Sequence, residues 1–265
     1  MNRIDKTFKR LKKKRDKAFI AFITAGYPNL SATKSVVKEL AQRGADIIEL
    51  GVPFSDPLAD GPTIQAASER ALKNRVNLKS IFRLVKELRK DIQTPIALMT
   101  YYNPIFRYGL EKFTKDALRA GVDGVIVPDL PIDEDLALRK ALRGSGIKEI
   151  LFLAPTSTTD RIKQAARRAG GFIYYVSLTG VTGARKKLPQ EIARNVRRIK
   201  QYTKTPVCVG FGISGPKQAE KIAKVADGVI VGSVLIKAIT ENFGKKDFIK
   251  RVGTIARNMG RAVHR

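Results

Sequence analysis

Eight short apolar segments alternate with segments of helical periodicity along the 265 residues, and this alternation predicts a (β/α)8 barrel, the TIM-barrel fold. The segments are apolar throughout instead of alternating with polar residues, which is typical of parallel strands that are covered on both faces. No linker or change of composition divides the chain, so we expect one domain over residues 1–265. A doubly wound open sheet built from the same elements is the alternative fold.

The barrel is expected to carry an extra N-terminal helix, because Ile4, Phe8 and Leu11 recur at helical spacing within a basic segment. Apolar runs predict strands at residues 18–23, 47–50, 95–99, 124–127, 149–153, 172–176, 206–209 and 228–231. Helical periodicity predicts helices at residues 31–43, 63–73, 78–90, 110–120, 133–143, 159–169, 188–202 and 216–225, with further helices after the eighth strand. At least one helix therefore follows every strand.

The chain is strongly basic, with 51 lysines and arginines against 24 acidic residues and a formal net charge of +27. The cations are distributed over nearly every helical segment, and no zinc-finger spacing or interleaving with aromatic residues accompanies them. We therefore interpret most of them as solvated helix faces that attract an anionic substrate, and expect no nucleic-acid partner. A basic nucleic-acid-binding protein, with its densest cluster at residues 9–15, is the alternative. No segment predicts a membrane helix or a signal peptide, so no membrane association is expected.

The single cysteine and the single histidine limit the possible chemistry. Cys208 lies in the seventh apolar run and is interpreted as an inert core thiol, and a lone free thiol suits a reducing cytoplasm. His264 is expected to lie in an exposed tail. No cluster has metal-ligand spacing, so no metal is expected, and Ser–His and Cys–His nucleophile schemes are excluded. No lysine lies within an apolar strand, which argues against a Schiff-base aldolase.

Acid–base chemistry then depends on carboxylates and tyrosines at the ends of strands, where active sites of this fold form. Glu49 lies inside the second apolar run, where a carboxylate is costly unless it has a partner or a task. Asp60 follows in a long loop, at residues 51–61, that ends at a Gly-Pro helix start. The pair suggests proton transfer; a salt-bridged Glu49 and a helix-capping Asp60 are the structural alternative. Tyr175 is a third candidate, with a buried aromatic core residue as its alternative.

Three glycine-rich stretches follow the sixth, seventh and eighth strands, at residues 179–183, 210–215 and 231–233. Exposed backbone N–H groups near helix N-termini bind phosphate, and the loops after the last two strands form the usual phosphate site of this fold. The sequence therefore predicts a phosphate-bearing substrate. The second stretch resembles a dinucleotide-binding motif, but a glycine cluster alone is weak evidence because turns also need glycine. No nicotinamide cofactor is expected.

The stretch ELGVPFSDPLADGPTIQ at residues 49–65 resembles the signature of the tryptophan synthase alpha chain family. The similarity continues in AGYP at 25–28, YYNP at 101–104, VPDLP at 127–131, APTS at 154–157, YVS at 175–177, GVTG at 180–183 and GFGIS at 210–214. It reaches the ends of the first seven predicted strands, and the first stretch is long and specific.

The resemblance implies a lyase that cleaves indole-3-glycerol phosphate reversibly into indole and glyceraldehyde 3-phosphate in tryptophan biosynthesis. It implies that Glu49 is the principal acid–base, that Asp60 binds the indole N–H, and that Tyr175 assists. The implied apolar pocket consists of Phe22, Ile64, Thr100, Val127 and Phe211. The implied phosphate site consists of Gly183, Gly212, Ile213, Gly232 and Ser233. Residues 177–187 would form a lid.

The resemblance also implies a partner, the tryptophan synthase beta subunit, in an alpha2-beta2 heterotetramer. Residues 53–56 and 103–108 would face this subunit, which carries the pyridoxal phosphate, so no cofactor is expected in this chain. A free-standing lyase that releases indole is the alternative function. A phosphosugar isomerase on the same fold would leave residues 49–65 unexplained.

Overall fold

Eight parallel strands close into a barrel in the computed structural model, which describes residues 1–176, 188–210 and 212–264. Each strand pairs with the next along the chain, and the eighth pairs with the first, so the barrel prediction is confirmed and the open-sheet alternative is wrong. The strands are β1 (Ala18–Thr24), β2 (Ile47–Gly51), β3 (Ile96–Met99), β4 (Gly124–Ile126), β5 (Lys148–Leu153), β6 (Ile173–Val176), β7 (Val207–Gly210) and β8 (Gly228–Val231).

Twelve helices lie in the described part of the chain and form the outer layer and the N-terminal cap. They are α1 (Arg3–Lys14), α2 (Leu30–Gln42), α3 (Pro62–Lys73), α4 (Leu78–Leu88), α5 (Tyr102–Tyr108), α6 (Leu110–Ala120), α7 (Leu136–Leu142), α8 (Thr159–Arg168), α9 (Leu188–Lys200), α10 (Pro216–Ala223), α11 (Ser233–Asn242) and α12 (Phe248–Val263). None of these helices combines the length and apolar character needed to cross a bilayer.

Among the described helices before β8, α5 alone is not predicted by the sequence pattern. Pro104 is tolerated there because it lies in the first turn, where the backbone N–H groups have no intrahelical partner. The carboxylate of Asp129 accepts the Tyr102 N–H, at 2.9 and 3.2 Å from its two oxygens, and so satisfies one of these N–H groups.

The side chains of the strands divide into an inner and an outer layer. Alternate residues point into the barrel, and this inner layer includes Ile20, Ile47, Tyr174 and Ile230. The intervening residues pack against the outer helices. Helix α1 contributes its apolar face to the inner layer, as predicted: Ile4, Phe8 and Leu11 are buried at the N-terminal end of the barrel.

Three aspartates fasten neighbouring strands at this N-terminal end. Each stands just before a strand, accepts the backbone N–H of a residue on an adjacent strand, and donates its own N–H to the carbonyl of that residue. The pairs are Asp46 with Phe19, Asp123 with Ile96 and Asp227 with Val207, with carboxylate distances of 3.0, 2.9 and 2.9 Å. Arg89 and Arg3 also bind Asp123, and this charge pairing stabilises the buried carboxylate.

His264 is not in an exposed tail, contrary to the sequence-based expectation. It is half-buried at the end of α12, and its Nε2 lies 2.7 Å from Asp46 Oδ2. The hydrogen bond to Asp46 raises the pKa of His264 above its usual value of 6.5, against the effect of burial. The contact therefore ties the last helix to the strand end that Asp46 fastens.

Candidate active site

A cavity of about 740 Å³ opens at the C-terminal ends of the barrel strands. Its wall is largely apolar and includes Phe22, Ile64, Met99, Val127, Phe152, Tyr174 and Ile230. Asp60 enters from the loop between β2 and α3, and Gly212, Ile213, Gly232 and Ser233 border the cavity after β7 and β8. The strand ends thus bring together most of the residues that the sequence singled out.

Glu49 is a fully buried carboxyl group without a hydrogen-bond partner among the described residues. It points into the barrel, because it stands two residues after the inward-facing Ile47, and it pairs in register with Phe22, which lines the cavity. Glu49 itself is not part of the cavity wall in this conformation. Burial, and secondarily the charge of Asp60, raise its pKa from 4.5 to about 8. The carboxyl is therefore protonated at neutral pH, and the salt-bridge alternative is wrong.

Asp60 is a partly buried carboxylate held by Tyr101. The Tyr101 hydroxyl donates to Asp60 Oδ2 at 3.0 Å. Burial raises the pKa of Asp60 from 3.8 to about 6, and the hydrogen bond from Tyr101 opposes this rise. Asp60 does not cap α3, because Gly61 is the N-cap residue there. Near pH 7 the site thus combines a protonated carboxyl at Glu49 with an ionised one at Asp60.

The tyrosine of the sixth strand that faces this pair is Tyr174, not the predicted Tyr175. Tyr174 lines the cavity, and burial, followed by the charges of Glu49 and Asp60, raises its pKa well above 10. Tyr175 points outward, and its hydroxyl accepts a hydrogen bond of 2.8 Å from Asn195 Nδ2 on α9. Successive residues of a strand face opposite sides of the sheet. A prediction that is wrong by one residue therefore names a side chain of the outer layer instead of one that lines the cavity.

The space for Tyr174 depends on Gly210. A Cβ atom at Gly210 would lie 2.5 Å from the Tyr174 hydroxyl oxygen, a distance at which atoms clash. Glycine is therefore needed at this last position of β7, inside the barrel, as well as in the turn that follows.

The third strand shows the same one-residue difference. The predicted pocket residue Thr100 is 1% exposed and does not line the cavity, and its Oγ1 lies 3.2 Å from the Tyr101 carbonyl oxygen. Its neighbour Met99 lines the cavity instead. The sequence does not indicate which residues of this strand face the cavity, because the whole run 95–99 is apolar. Phe211 and Gly183, also predicted for the site, lie outside the described residues, as do residues 177–187.

The N-terminus of α11 borders the cavity at the place where the sequence predicts an anion site. Gly232 is its N-cap residue and Ser233 its first residue, and no side chain caps this end. The first N–H groups of an α-helix lack intrahelical partners and carry the positive end of the helix dipole, so they bind phosphate. Gly212, with a φ of 69°, adopts the left-handed conformation that glycine tolerates, and borders the same end of the cavity.

A second acidic pair, which the sequence analysis missed, borders the cavity between β4 and β5. Burial, and then the charge of Asp135, raise the pKa of Glu149 from 4.5 to about 7, against the lowering effect of Arg168 and Arg139. Asp135 is buried and forms an ion pair with Arg168. The available signal was the position of Glu149 as the first residue of the fifth apolar run.

The chain is similar over nearly its whole length to one group of known sequences. Residues 8–264 match the family model of the tryptophan synthase alpha chain. The tryptophan synthase alpha chain of Geotalea daltonii is 50% identical over 255 residues, covering 96% of each chain. That of Geobacter sulfurreducens is 48% identical over 263 residues, covering 99% of each.

Solved structures extend the similarity to the fold. The tryptophan synthase subunit alpha from Legionella pneumophila superposes with a TM-score of 0.93 at 40% identity, covering 99% of this chain and 98% of that one. A chain of Mycobacterium tuberculosis tryptophan synthase gives a TM-score of 0.90 at 35% identity, covering 100% and 99%.

We expect Glu49→Gln to stabilise the folded protein increasingly as the pH rises from 5 to 9. The folded-state pKa of Glu49 lies above its unfolded value, so ionisation opposes folding from about pH 4.5 upward and reaches its full cost above pH 8. The gain at pH 9 should be on the order of 2–5 kcal/mol and small at pH 5. Urea unfolding at several pH values measures it.

Glu134→Gln is the matched control, because Glu134 is exposed and its change should not alter the pH dependence. An equal effect of both substitutions at pH 9 would contradict the assignment of a buried, protonated Glu49.

Proposed function

Because the chain belongs to the tryptophan synthase alpha chain family and so acts as the alpha subunit in tryptophan biosynthesis, we propose that it cleaves indole-3-glycerol phosphate into indole and glyceraldehyde 3-phosphate. The reaction is a reversible retro-aldol cleavage, catalysed by a lyase. The observation that carries the proposal is the environment of Glu49: its carboxyl group is held protonated at neutral pH, and it pairs in register with Phe22 of the cavity wall.

Glu49 supplies both proton transfers of this reaction. Its proton passes to the indole carbon that bears the glycerol chain, which converts the ring to a positively charged indolenine. The resulting carboxylate then accepts the proton of the adjacent hydroxyl group, the carbon–carbon bond breaks, and its electrons return to the ring as indole forms. A carboxyl with a pKa near 8 serves both steps near neutral pH. Because Glu49 is fully buried, its side chain must turn toward the substrate.

Asp60 stabilises the charge that develops on the indole nitrogen. An ionised carboxylate in a partly buried position accepts the N–H hydrogen bond and opposes the positive charge more strongly than it would in water. Tyr174 lies beside these groups and takes the place of Tyr175, which the sequence predicts. It remains a neutral phenol, since its pKa is raised. We propose that its hydroxyl group orients either Glu49 or the reacting hydroxyl group of the substrate.

The remaining cavity matches the two ends of the substrate. Phe22, Ile64, Met99 and Val127 provide the apolar wall for the indole ring. The opposite border, formed by Gly212, Ile213, Gly232 and Ser233, binds the phosphate through the N-terminus of α11. Phe211 and Gly183 remain predicted members of these two groups.

The partner is proposed to be a beta subunit that carries pyridoxal phosphate, in an alpha2-beta2 complex, with no cofactor in this chain. Leu58 in the loop before α3 is 93% exposed, and Phe106 on α5 is 63% exposed. Large apolar side chains at such exposure favour contact with another protein. They lie within or next to the segments 53–56 and 103–108 that the resemblance assigns to the interface.

Glu49→Gln is expected to reduce indole release from indole-3-glycerol phosphate by several powers of ten, because an amide can neither give nor accept the transferred proton. Indole is measured chromatographically with the purified chain. Glu134→Gln again serves as the control. Retained activity in Glu49→Gln would refute the assignment.

The two neighbouring tyrosines provide a second test. Tyr174→Phe should lower kcat by roughly 10-fold or more, because it removes a hydroxyl beside the reacting groups, whereas Tyr175→Phe should lose stability but little activity. Steady-state kinetics and thermal unfolding of both variants decide between them. Greater loss of kcat in Tyr175→Phe would restore the sequence-based prediction.

The role of a partner is tested by adding a beta subunit from a related bacterium. Weak indole release by the chain alone and strong activation by the beta subunit are expected for the subunit of a complex. High turnover alone, unchanged by the beta subunit, would favour the free-standing lyase instead. Phe106→Ser should weaken activation while leaving the basal rate of the chain within a few-fold, because Phe106 is exposed and does not line the cavity.

A further inference from the structure

We propose that Tyr101 is a positioning residue that holds Asp60 and its loop in the geometry needed for catalysis, and that it acts through Asp60 and not on the substrate. This inference rests on the proposed function. Tyr101 is 4% exposed and is not part of the cavity wall, and its hydroxyl group already contacts Asp60 and Ala59.

The Tyr101 hydroxyl makes two hydrogen bonds to consecutive residues of one loop. It donates to Asp60 Oδ2 and accepts the backbone N–H of Ala59, both at 3.0 Å. A single oxygen therefore fixes the carboxylate and the backbone that carries it. Loops of this length are otherwise held weakly, because the ends alone leave many conformations accessible.

The aromatic ring of Tyr101 holds the same loop at a second point. The ring of Phe54 stacks on it, with the centroids 5.0 Å apart and an angle of 28° between the planes. Phe54 and Asp60 thus contact one rigid side chain from the two ends of the loop. Stacked aromatic pairs contribute beyond their buried area, which favours this arrangement over a loop free to move.

Tyr101 is itself fixed to the barrel on both sides. The N–H of the preceding residue, Thr100, donates to the Ile126 carbonyl at 2.9 Å, and the N–H of the following residue, Tyr102, donates to Asp129. The position of Asp60 is therefore set by β3 and β4 through Tyr101, in addition to its own loop.

The hydrogen bond also acts on the charge of Asp60. A donor to a carboxylate favours its ionised form, so the Tyr101 hydroxyl opposes the effect of burial on the pKa of Asp60. Glu49 on β2 and Tyr174 on β6 face the same space. Among the residues that the structure describes, the other charged groups that border the cavity are Asp129, Asp135, Glu149 and Arg161. None of them provides a described hydrogen bond to the Asp60 carboxylate in place of Tyr101.

The test is a double-mutant cycle of Tyr101→Phe and Asp60→Asn, measured by indole release from indole-3-glycerol phosphate with the full chain. In the wild-type background, Tyr101→Phe should lower kcat by roughly 10- to 100-fold with a smaller change in KM, since a hydrogen bond to a charged group is lost. In the Asp60→Asn background, the same change should cost less than about 2-fold, because two residues that act as a unit are not additive.

A pH profile separates positioning from a loss of folding. Without the hydroxyl the pKa of Asp60 rises, so the acidic limb of the kcat profile should move to higher pH in Tyr101→Phe. Tyr27→Phe is the matched control: Tyr27 also follows a barrel strand, and its hydroxyl lies 2.7 Å from Thr240 Oγ1, away from the cavity wall. This control should leave the profile unchanged.

Equal factors in both backgrounds, or unchanged kinetics in Tyr101→Phe, would overturn the inference. If Tyr101→Phe proves unfolded in thermal unfolding, Phe54→Leu removes the stacked ring and keeps the hydroxyl. Phe54→Leu should then lower kcat in the wild-type background but not in the Asp60→Asn background. An equal loss of kcat in both backgrounds would overturn the inference. Absence of indole release from the wild type would instead refute the proposed function, so the two failures are distinguishable.

Discussion

The burial of one carboxyl group, that of Glu49, is the constraint on which the site depends. An apolar barrel interior disfavours a charged carboxylate, and no described donor compensates for the loss of water around it. The group therefore keeps its proton at a pH at which exposed glutamates have lost theirs. The barrel gives up stability to maintain this reactive state, and the closed ring of strands and the outer helices must supply that stability elsewhere.

The two ends of the barrel treat carboxylates in opposite ways. At the N-terminal end, buried aspartates accept backbone N–H groups, and arginines pair with Asp46 and Asp123, so their charges are compensated. At the C-terminal end, the described residues give Glu49 no such partner and Asp60 one neutral side-chain donor. Carboxylate side chains thus fasten strands at one end of the barrel and remain available for chemistry at the other. This agrees with the usual division of function in this fold.

The elements of the fold and the position of Glu49 could be predicted from the sequence, because an acid within an apolar run is visible in a single chain. The facing direction of individual strand residues could not. Tyr174 and Tyr175, or Met99 and Thr100, lie in runs without polar alternation, and only the closed barrel distinguishes their two faces. The contact of His264 with Asp46 spans 218 positions, and α5 is held by Asp129 from another strand end. Such long-range contacts leave no local pattern.

The size of the cavity is encoded in residues that have no side chain. The ring of Phe22 occupies the space in front of Gly51 and Gly232: a Cβ atom would lie 2.7 Å from it at the first position and 3.0 Å at the second. The three positions on β1, β2 and the end of β8 therefore form one steric unit, in which a larger residue at either glycine requires a smaller one at position 22. We therefore expect a barrel of this kind to change the ring systems that it accepts by replacing all three residues together. Single substitutions alone should give little of this variation.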